Sequence, residues 1–364
     1  MFKRVPLLFM LAFVSHMPGK EPARKLIFQP GGVSFASSHA STIVELRDGS
    51  LMAAWFGGTV EGNPDVAIWS SRASSGQSPG WSPPEELARE PGVPCWNPVL
   101  FHTKDGQLWL YYKFGPSPNT WTAARKHSGD EGQTWSPAEY LPAGLIGPVH
   151  AKPLVLQDGT IVSGSSTESY HSWAVWIERS ADGGKTWTRN GPIVPPGDAL
   201  KTRADKGTAL NLAHVPGSQE WNETTGIIQP SVVSLGRKHL RFYARSTANI
   251  ARIIVADSFD DGRTWSGIRP LDLPNPNSGI DAVALKDGRV VLVFNNTTTG
   301  RTPLNMAVSH DGEHFTIFAT LEAGPGEYSY PAIIQGNNSD LYVTYTWNRK
   351  SIAFRHVSLS QIPK

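Results

Sequence analysis

Residues 180–187 read SADGGKTW, and the same pattern, Ser-x-Asp-x-Gly-x-Thr-Trp, occurs at residues 128–135 (SGDEGQTW) and 258–265 (SFDDGRTW). A fourth copy at residues 309–315 is one residue shorter and ends in Phe315. Each copy predicts a tight turn, because its Asp can accept hydrogen bonds from backbone N–H groups of the turn, its Gly permits positive φ and its aromatic ring can cover the turn. Three full copies indicate that the chain is built from an internal repeat.

A second marker, a two-residue turn that leads into an apolar strand, alternates with this turn motif. Its six copies begin 57, 53, 77, 52 and 52 residues apart, at Asp48, Asp105, Asp158, Leu235, Asp287 and Ser339. Units of about fifty residues suit the four-stranded blades of a propeller, and no segment has a competing helical period. We therefore predict an all-β fold, a six-bladed β-propeller over residues 26–360, closed by pairing of a strand near residues 26–29 with the C-terminal blade.

The composition of the 364-residue chain agrees with many short strands, since it contains 35 Gly, 29 Pro and 13 Trp. The net charge of +2, with 18% charged residues, argues against a nucleic-acid partner. Cys95 is the only cysteine, which excludes an internal disulfide and a cysteine-based metal cluster. No metal-binding motif is present in the sequence, so we expect neither a metal nor a cofactor. A closed propeller leaves few free strand edges, and we expect a monomer.

The N-terminus has a different character from the rest of the chain. Lys3 and Arg4 precede an apolar stretch at residues 5–14, a pattern typical of a secretory signal and too short to span a bilayer. We predict a signal peptide at residues 1–19, no membrane span, and a secreted or periplasmic protein. The alternative is a partly apolar N-terminal tail, since no Ala-x-Ala cleavage site is present.

The turn motif resembles the Asp box of the sialidases and related propellers. The resemblance covers about residues 33–360 and implies a sialidase-like glycosidase. In that family three arginines bind the substrate carboxylate, a tyrosine supported by a glutamate is the nucleophile, and an aspartate on a loop is the acid; a tyrosine nucleophile is an exception among glycosidases. The resemblance implies that Arg245 and Arg301 are two of the arginines, that Tyr328 is the nucleophile, and that Glu61 or Asp65 is the acid.

Two positions depart from the family pattern. His39 stands where the first arginine is expected, and Gln229 stands where the supporting glutamate is expected. Three functions therefore stay open: a hydrolase of sialic acid or another acidic sugar, a uronate lyase, and a carbohydrate-binding propeller without turnover. In the lyase, Tyr328 and His39 would transfer protons in β-elimination while the arginines stabilise the enolate-like intermediate.

Four further residues lie at predicted strand ends or loops where they could contact the substrate. They are Asn97, His150, Lys152 and Asp281. His150 and Lys152 could contact a second anionic group, although Lys152 could equally be a solvated charge. The two arginines could likewise pair with local acids instead of a ligand. The predicted partner is an acidic glycan or oligosaccharide, which two converging guanidinium groups would bind through bidentate hydrogen bonds.

Overall fold

The structure is a computed structural model, and it describes residues 24–74, 80–169, 172–195 and 225–364. The predicted signal peptide at residues 1–19 lies outside the described residues. The described part is all-β, as predicted, with 24 strands and one 3₁₀ turn at Leu359–Gln361. Within these ranges no helix has the length and apolar character that crossing a bilayer requires.

The strands form four sheets of four strands and one sheet of eight, which we divide into six four-stranded units. Strand β1 (Lys25–Leu26) belongs to the last unit. Unit 1 contains β2 (Ser37–Glu45), β3 (Leu51–Gly58), β4 (Ala67–Ala73) and β5 (Glu85–Ala88). Unit 2 contains β6 (Cys95–His102), β7 (Leu108–Phe114), β8 (Thr122–Ser128) and β9 (Glu139–Tyr140). Unit 3 contains β10 (Leu154–Val155), β11 (Ile161–Ser169), β12 (Ser172–Ser180) and β13 (Thr188–Ile193).

Unit 4 contains β14 (Thr225–Gly236), β15 (His239–Ser246), β16 (Arg252–Ser258) and β17 (Arg269–Pro274). Unit 5 contains β18 (Asp281–Ala284), β19 (Val290–Asn295), β20 (Leu304–Ser309) and β21 (Thr316–Glu322). Unit 6 contains β22 (Tyr328–Gln335), β23 (Leu341–Trp347) and β24 (Ser351–Val357), completed by β1, which pairs with β24 as predicted. Units 3 and 4 share the eight-stranded sheet through a short parallel pairing of β12 with β14.

Antiparallel pairing within the units gives them two distinct ends. The loops after the first and third strands lie at one end, which we call the turn end, and the loops after the second strands lie at the opposite end, which we call the site end. The four copies of the turn motif follow the third strands of units 2 to 5, so they all lie at the turn end.

The turn motifs have the predicted hydrogen bonds. At residues 180–187, the Ser180 hydroxyl donates to Asp182 Oδ1 (2.8 Å) and the Thr186 amide donates to the same oxygen (2.9 Å). The indole of Trp187 donates to the Gly184 carbonyl (3.1 Å), and Gly184 has a φ of +88°. The polar groups of the turn are thus satisfied within the turn itself.

The apolar core lies between neighbouring units. One cluster combines Ala54 and Phe56 of unit 1 with Leu110 and Tyr112 of unit 2, and five further clusters join other pairs of units. In a sheet that is covered on both faces, nearly every residue of a strand is buried, and β3 and β7 have that pattern. The packing holds the site ends of the units next to one another.

Candidate functional site

The first strands of four units carry a bulge near their start, at the site end. Register shifts interrupt β2, β6, β14 and β22, and each shift contains a non-glycine residue with positive φ. These residues are Ala40 (53°), Asn97 (35°), Gln229 (55°) and Tyr330 (51°). A bulge redirects the side chains around it, and strained backbone of this kind, at roughly 1–3 kcal/mol per residue, concentrates at functional sites.

Tyr330 lies at the centre of the side chains that meet at the site end. Its hydroxyl accepts hydrogen bonds from Arg245 Nη1 (2.7 Å) and from Gln229 Nε2 (3.3 Å). The ring centre of His39 lies 4.3 Å from that of Tyr330, and the ring centre of His150 lies 4.9 Å from it. Four residues singled out from the sequence therefore surround one tyrosine.

Tyr328, the residue expected to be the nucleophile, lies only two positions away but in a different environment. Its ring packs in an apolar cluster between units 5 and 6, and its hydroxyl donates to the Pro325 carbonyl (3.2 Å). Residues two apart on a regular strand share a face, but the register shift between Ser329 and Ala332 and the positive φ of Tyr330 break that rule. The structure thus places Tyr330, rather than Tyr328, against the arginines.

Two of the guanidinium groups near Tyr330 share one carboxylate. Arg301 Cζ lies 5.5 Å from the Tyr330 ring centre, and Arg301 Nη1 donates to Glu327 Oε1 (2.7 Å). Arg349 Nε donates to both oxygens of Glu327 (3.0 and 2.9 Å), and Arg349 Nη1 donates to Glu61. Glu61, one of the two acid candidates, is therefore held in an ion pair at the edge of the site.

Arg349 is a functional candidate that sequence reasoning missed. It lies in the loop between β23 and β24, and its carbonyl oxygen accepts a hydrogen bond from the Ser38 amide (2.9 Å), beside His39. It therefore brings a third guanidinium to the neighbourhood where His39 replaces the family's first arginine. No motif in the sequence marks this residue, because its position depends on the contact between units 6 and 1.

Arg245 differs from the other two arginines in its partners. Its Nε donates to Asn277 Oδ1 (2.7 Å), and its Nη1 donates to Gln229 Oε1 (3.2 Å) and to Tyr330. Arg245 is 7% exposed, and none of the described carboxylates lies within ion-pair distance of it. A buried guanidinium whose described partners are all neutral is costly unless an anion joins it.

Burial keeps both histidines of the site neutral. Burial, followed by the positive charges of Arg349 and Arg301, holds the pKa of His39 well below its usual value. Burial also lowers the pKa of His150 to about 4, against the opposing effect of Asp281. Within the described part of the chain, His39 Nδ1 and His150 Nε2 have no hydrogen-bond partner. Such unpartnered buried atoms leave positions for polar atoms of a water or a ligand.

Lys152 and Asp281 form an ion pair with each other, rather than lining a shared open space. Lys152 Nζ lies 3.0 Å from Asp281 Oδ2, and Asp281 also accepts hydrogen bonds from the Ser231 hydroxyl (2.7 Å) and the Ile333 amide (2.9 Å). These four residues come from four different units. The pair therefore belongs to a hydrogen-bond network that links β14, β18 and β22 to the segment before β10.

Two other sequence candidates lie outside the cluster around Tyr330. Asp65 accepts hydrogen bonds from the Thr59 amide (2.8 Å) and hydroxyl, which lower the pKa of Asp65. Asn97 is buried at the bulge of β6, and no hydrogen bond among the described residues joins it to the arginines. In the same set of residues, no group of three or more His, Cys, Asp or Glu side chains is arranged to hold a metal ion.

One sequence signal could have identified Tyr330. In the first strand of three units, a residue with positive φ is directly followed by proline. These pairs are Asn97-Pro98, Gln229-Pro230 and Tyr330-Pro331. The recurrence of a residue followed by proline at one place in the repeat predicts equivalent bulges. Aligning the copies on that pair would have selected Tyr330 over Tyr328.

The fold is similar to that of several solved structures. A protein of unknown function from Dyadobacter fermentans DSM 18053 has a TM-score of 0.74 at 16% identity, over 94% of this chain and 100% of that one. The NanB sialidase from Streptococcus pneumoniae has a TM-score of 0.69 at 14% identity, over 96% and 72% of the two chains. The leech intramolecular trans-sialidase has a TM-score of 0.69 at 13% identity, over 93% and 71%. At such identities the likeness shows a shared fold and not a shared activity.

Among curated proteins no match to the chain was found. The family model of the BNR repeat-like domain, in contrast, matches residues 49–343. That match spans well over half of the chain and includes all four copies of the turn motif. The match shows that the chain belongs to the BNR repeat-like domain family, and the solved structures show that it shares the fold of sialidases at low identity.

Proposed function

We propose that this protein is a glycoside hydrolase that binds sialic acid or another acidic sugar through the carboxylate of the sugar. The observation that carries the proposal is Arg245, a buried guanidinium whose described partners are all neutral. A planar carboxylate would supply the bidentate anionic partner that such a group requires. The site has three guanidinium groups, those of Arg245, Arg301 and Arg349. Arg301 and Arg349 bind the carboxylates of Glu61 and Glu327, so one positive charge is left for the anion of the substrate.

Tyr330 would be the nucleophile of this reaction. The Arg245 guanidinium and the Gln229 amide both donate to its oxygen, and such donors stabilise negative charge on the attacking atom. His39 and His150, whose ring centres lie 4.3 and 4.9 Å from that of Tyr330, would contribute neutral hydrogen-bonding atoms beside it. Solved structures with a similar fold include a sialidase and a trans-sialidase, which supports the proposal of a glycosidase.

The proposal is tested with a panel of sialosides, glucuronides and matched neutral glycosides, with the products analysed by mass spectrometry. We expect release of an acidic sugar with uptake of one water. Arg245→Gln should lower kcat/KM for the acidic substrate by about 30-fold to 4,000-fold, since breaking a buried charge pair typically costs about 2–5 kcal/mol. The control is Arg252→Gln, an exposed arginine of the same unit that pairs with Asp272.

Two results would count against this function. Equal losses on acidic and neutral glycosides in Arg245→Gln would contradict a carboxylate bound at Arg245. Binding of an acidic sugar by the wild-type protein without any product would indicate a carbohydrate-binding propeller.

A uronate lyase is the second candidate, and Gln229 is the observation that favours it. An amide cannot take the proton of Tyr330 as the family's glutamate would, whereas the neutral His39 beside that ring can accept one. In β-elimination a base removes the proton next to the carboxylate while Arg245 stabilises the charge that develops. Unsaturated uronate products without added water would establish this candidate and exclude hydrolysis.

We also infer that the six units close into a six-bladed propeller. Six apolar clusters support this closure, since each joins a different pair of neighbouring units, and one of them joins unit 6 to unit 1. At the turn end the Glu45 carboxylate accepts a hydrogen bond from the Asn337 amide, which also links these two units. An experimental structure with another number of blades would contradict the inference, and light scattering would test the expected monomer.

Export is a further part of the proposal. Its support is the sequence pattern of Lys3 and Arg4 before the apolar residues 5–14. We expect N-terminal sequencing of the protein from the periplasm or medium to find a chain that starts near residue 20. A cytoplasmic protein with an intact N-terminus would contradict it.

A further inference from the structure

Glu168 is a buried carboxyl group at the site end that neither the sequence motifs nor the proposed mechanism uses. It lies near the end of β11, the second strand of unit 3. Even-numbered residues of this strand face unit 4. A Cβ on Gly164 would meet the Pro230 carbonyl, and the Ser166 hydroxyl accepts a hydrogen bond from the backbone N–H of Gln229 (3.4 Å). Glu168 is the next residue on that face, about 7 Å further towards the site along the strand.

Cross-strand pairing brings the same residue next to Arg245. Glu168 is opposite Trp173 in the register of β11 and β12, and directly paired residues carry their side chains on the same face. The guanidinium of Arg245 lies 5.7 Å from the Trp173 ring centre. Glu168 therefore borders the group of side chains around Tyr330, on the side formed by unit 3.

The environment of Glu168 favours its protonated form. It is 6% exposed, and no described cation lies within ion-pair distance of its carboxyl group. Burial raises the pKa of Glu168 to about 7; the nearby charge of Arg245 opposes this shift and that of Glu61 reinforces it. A general acid works best when its pKa lies near the working pH, and this carboxyl group meets that condition.

The other carboxyl groups near the site are already engaged as anions. Glu61 is ion-paired with Arg349, and Asp65 accepts two hydrogen bonds from Thr59. Burial alone would raise the pKa of Glu327, but Arg301 and Arg349 together lower it. Among the described carboxyl groups that border the site, Glu168 is thus the one placed to carry a proton.

We propose that Glu168 is the general acid of this site, donating its proton to the glycosidic oxygen of the bound acidic sugar; the inference rests on the hydrolase proposed above. The proton passes to that oxygen as its bond to the anomeric carbon breaks, and the bonding electron pair stays on the departing alcohol. The Tyr330 oxygen forms the new bond to the anomeric carbon as its proton passes to the neutral imidazole of His39. Water then displaces Tyr330 from the anomeric carbon; the proton that the water loses passes to the Glu168 carboxylate and His39 returns its proton to Tyr330, so that one water is consumed overall.

The test compares leaving groups on the wild-type protein and Glu168→Gln, with the 4-nitrophenyl and methyl glycosides of N-acetylneuraminic acid and glucuronic acid as probes. Methanol needs a proton to leave, whereas 4-nitrophenol leaves as its anion. Glu168→Gln should therefore lower kcat on the methyl glycoside by about 10²-fold to 10⁴-fold and reduce kcat on the 4-nitrophenyl glycoside far less. In the wild-type protein, kcat on the methyl glycoside should fall as the pH rises through about 7, where Glu168 loses its proton, and the variant should lack this step.

Glu139→Gln, the same change on an exposed residue of β9, is the control and should keep the wild-type pH profile and leaving-group dependence. Equal losses on both leaving groups would overturn the assignment of Glu168 as acid, as would an unchanged pH profile in Glu168→Gln. Failure of the wild-type protein to cleave any of the glycosides would instead refute the hydrolase itself, so the two proposals fail in different ways.

Discussion

The two ends of the units satisfy their polar groups in different ways. At the turn end, Asp182 accepts hydrogen bonds from Ser180 and Thr186, and the Trp187 indole is paired within the same eight residues. At the site end, His39 Nδ1 and His150 Nε2 are buried without a described partner. The four turn motifs therefore satisfy their polar groups internally, whereas at the site end two buried imidazole nitrogens are left for a ligand or water to pair.

The largest effect is expected from removing the hydroxyl at the centre of the site end. Tyr330→Phe removes the proposed nucleophile and the acceptor that Arg245 and Gln229 share. We expect kcat to fall by about 10³-fold or more, because loss of a nucleophile removes the covalent route, while binding of the acidic sugar persists. Steady-state kinetics and calorimetric titration measure the two quantities separately.

Tyr328→Phe is the matched control for this variant. It removes one hydrogen bond to the Pro325 carbonyl, so it should cost about 1 kcal/mol of unfolding free energy and leave kcat near the wild-type value. The opposite result, with Tyr328→Phe inactive and Tyr330→Phe active, would restore the role that the family resemblance implies for Tyr328.

The pH dependence of stability offers a second way to separate the ends. The pKa of His150 is about 4 in the folded protein and about 6.5 in an unfolded chain. Unfolding therefore takes up a proton between these values, and His150 should lower the free energy of unfolding by about 3 kcal/mol as the pH falls from about 6.5 to about 4. Above pH 7 this contribution is constant.

Urea unfolding of the wild-type protein and of His150→Gln between pH 4 and pH 8 measures this contribution. The difference in unfolding free energy between the two proteins should change between about pH 4 and about pH 6.5 and be constant above pH 7. Parallel curves throughout would show that His150 is not held neutral by the fold, and the contrast between the ends would lose one of its supports.

A change at the turn end should affect stability without affecting the site. The Ser258 hydroxyl is buried, donates to Asp260 and accepts a hydrogen bond from the Gly262 amide (2.9 Å). Ser258→Ala leaves that amide without its acceptor, so we expect a loss of about 1–3 kcal/mol in unfolding free energy and an unchanged kcat. Chemical unfolding gives the free energy of unfolding and kinetics of the same preparation give kcat; Ser360→Ala, at an exposed position, is the control. A loss of kcat in Ser258→Ala at full stability would mean that the two ends are coupled.

The same contrast explains how much of the fold sequence reasoning could predict. The turn motifs and the all-β class followed from residues whose interactions are local or repeated, and the pairing of β1 with β24, although distant in sequence, followed from the closure that the repeat predicts. A motif of eight residues contains both partners of its hydrogen bonds, so it can be identified without knowing the rest of the structure. The resemblance also selected Arg245, Arg301, His39 and Gln229, which the structure brings together around one tyrosine.

The remaining site residues depended on contacts between distant parts of the chain. Tyr330, and not Tyr328, lies against Arg245 because of a bulge with positive φ. Arg349 approaches His39 only through the contact of unit 6 with unit 1, and Glu168 borders the site through the register of β11. Arg349 and Glu168 do not follow from spacing in the sequence, whereas the recurring residue-proline pair marks the position of Tyr330. Bulges and packing between units determine which side chain of a strand enters the site.

The smallest effect on stability, and the most direct test of the contrast, is expected at His39. Replacing it by Phe keeps an aromatic ring against Phe56 and Tyr330 and removes both ring nitrogens, of which Nδ1 is buried and has no described partner. Removing an unsatisfied buried polar atom is neutral or stabilising, so the free energy of unfolding should stay within about 0.5 kcal/mol of the wild-type value or rise by up to about 1 kcal/mol, while turnover of the acidic sugar falls. Chemical unfolding measured beside kcat tests both parts. A loss of more than about 2 kcal/mol would mean that His39 Nδ1 has a structural partner, and its claim to a ligand atom would then fail.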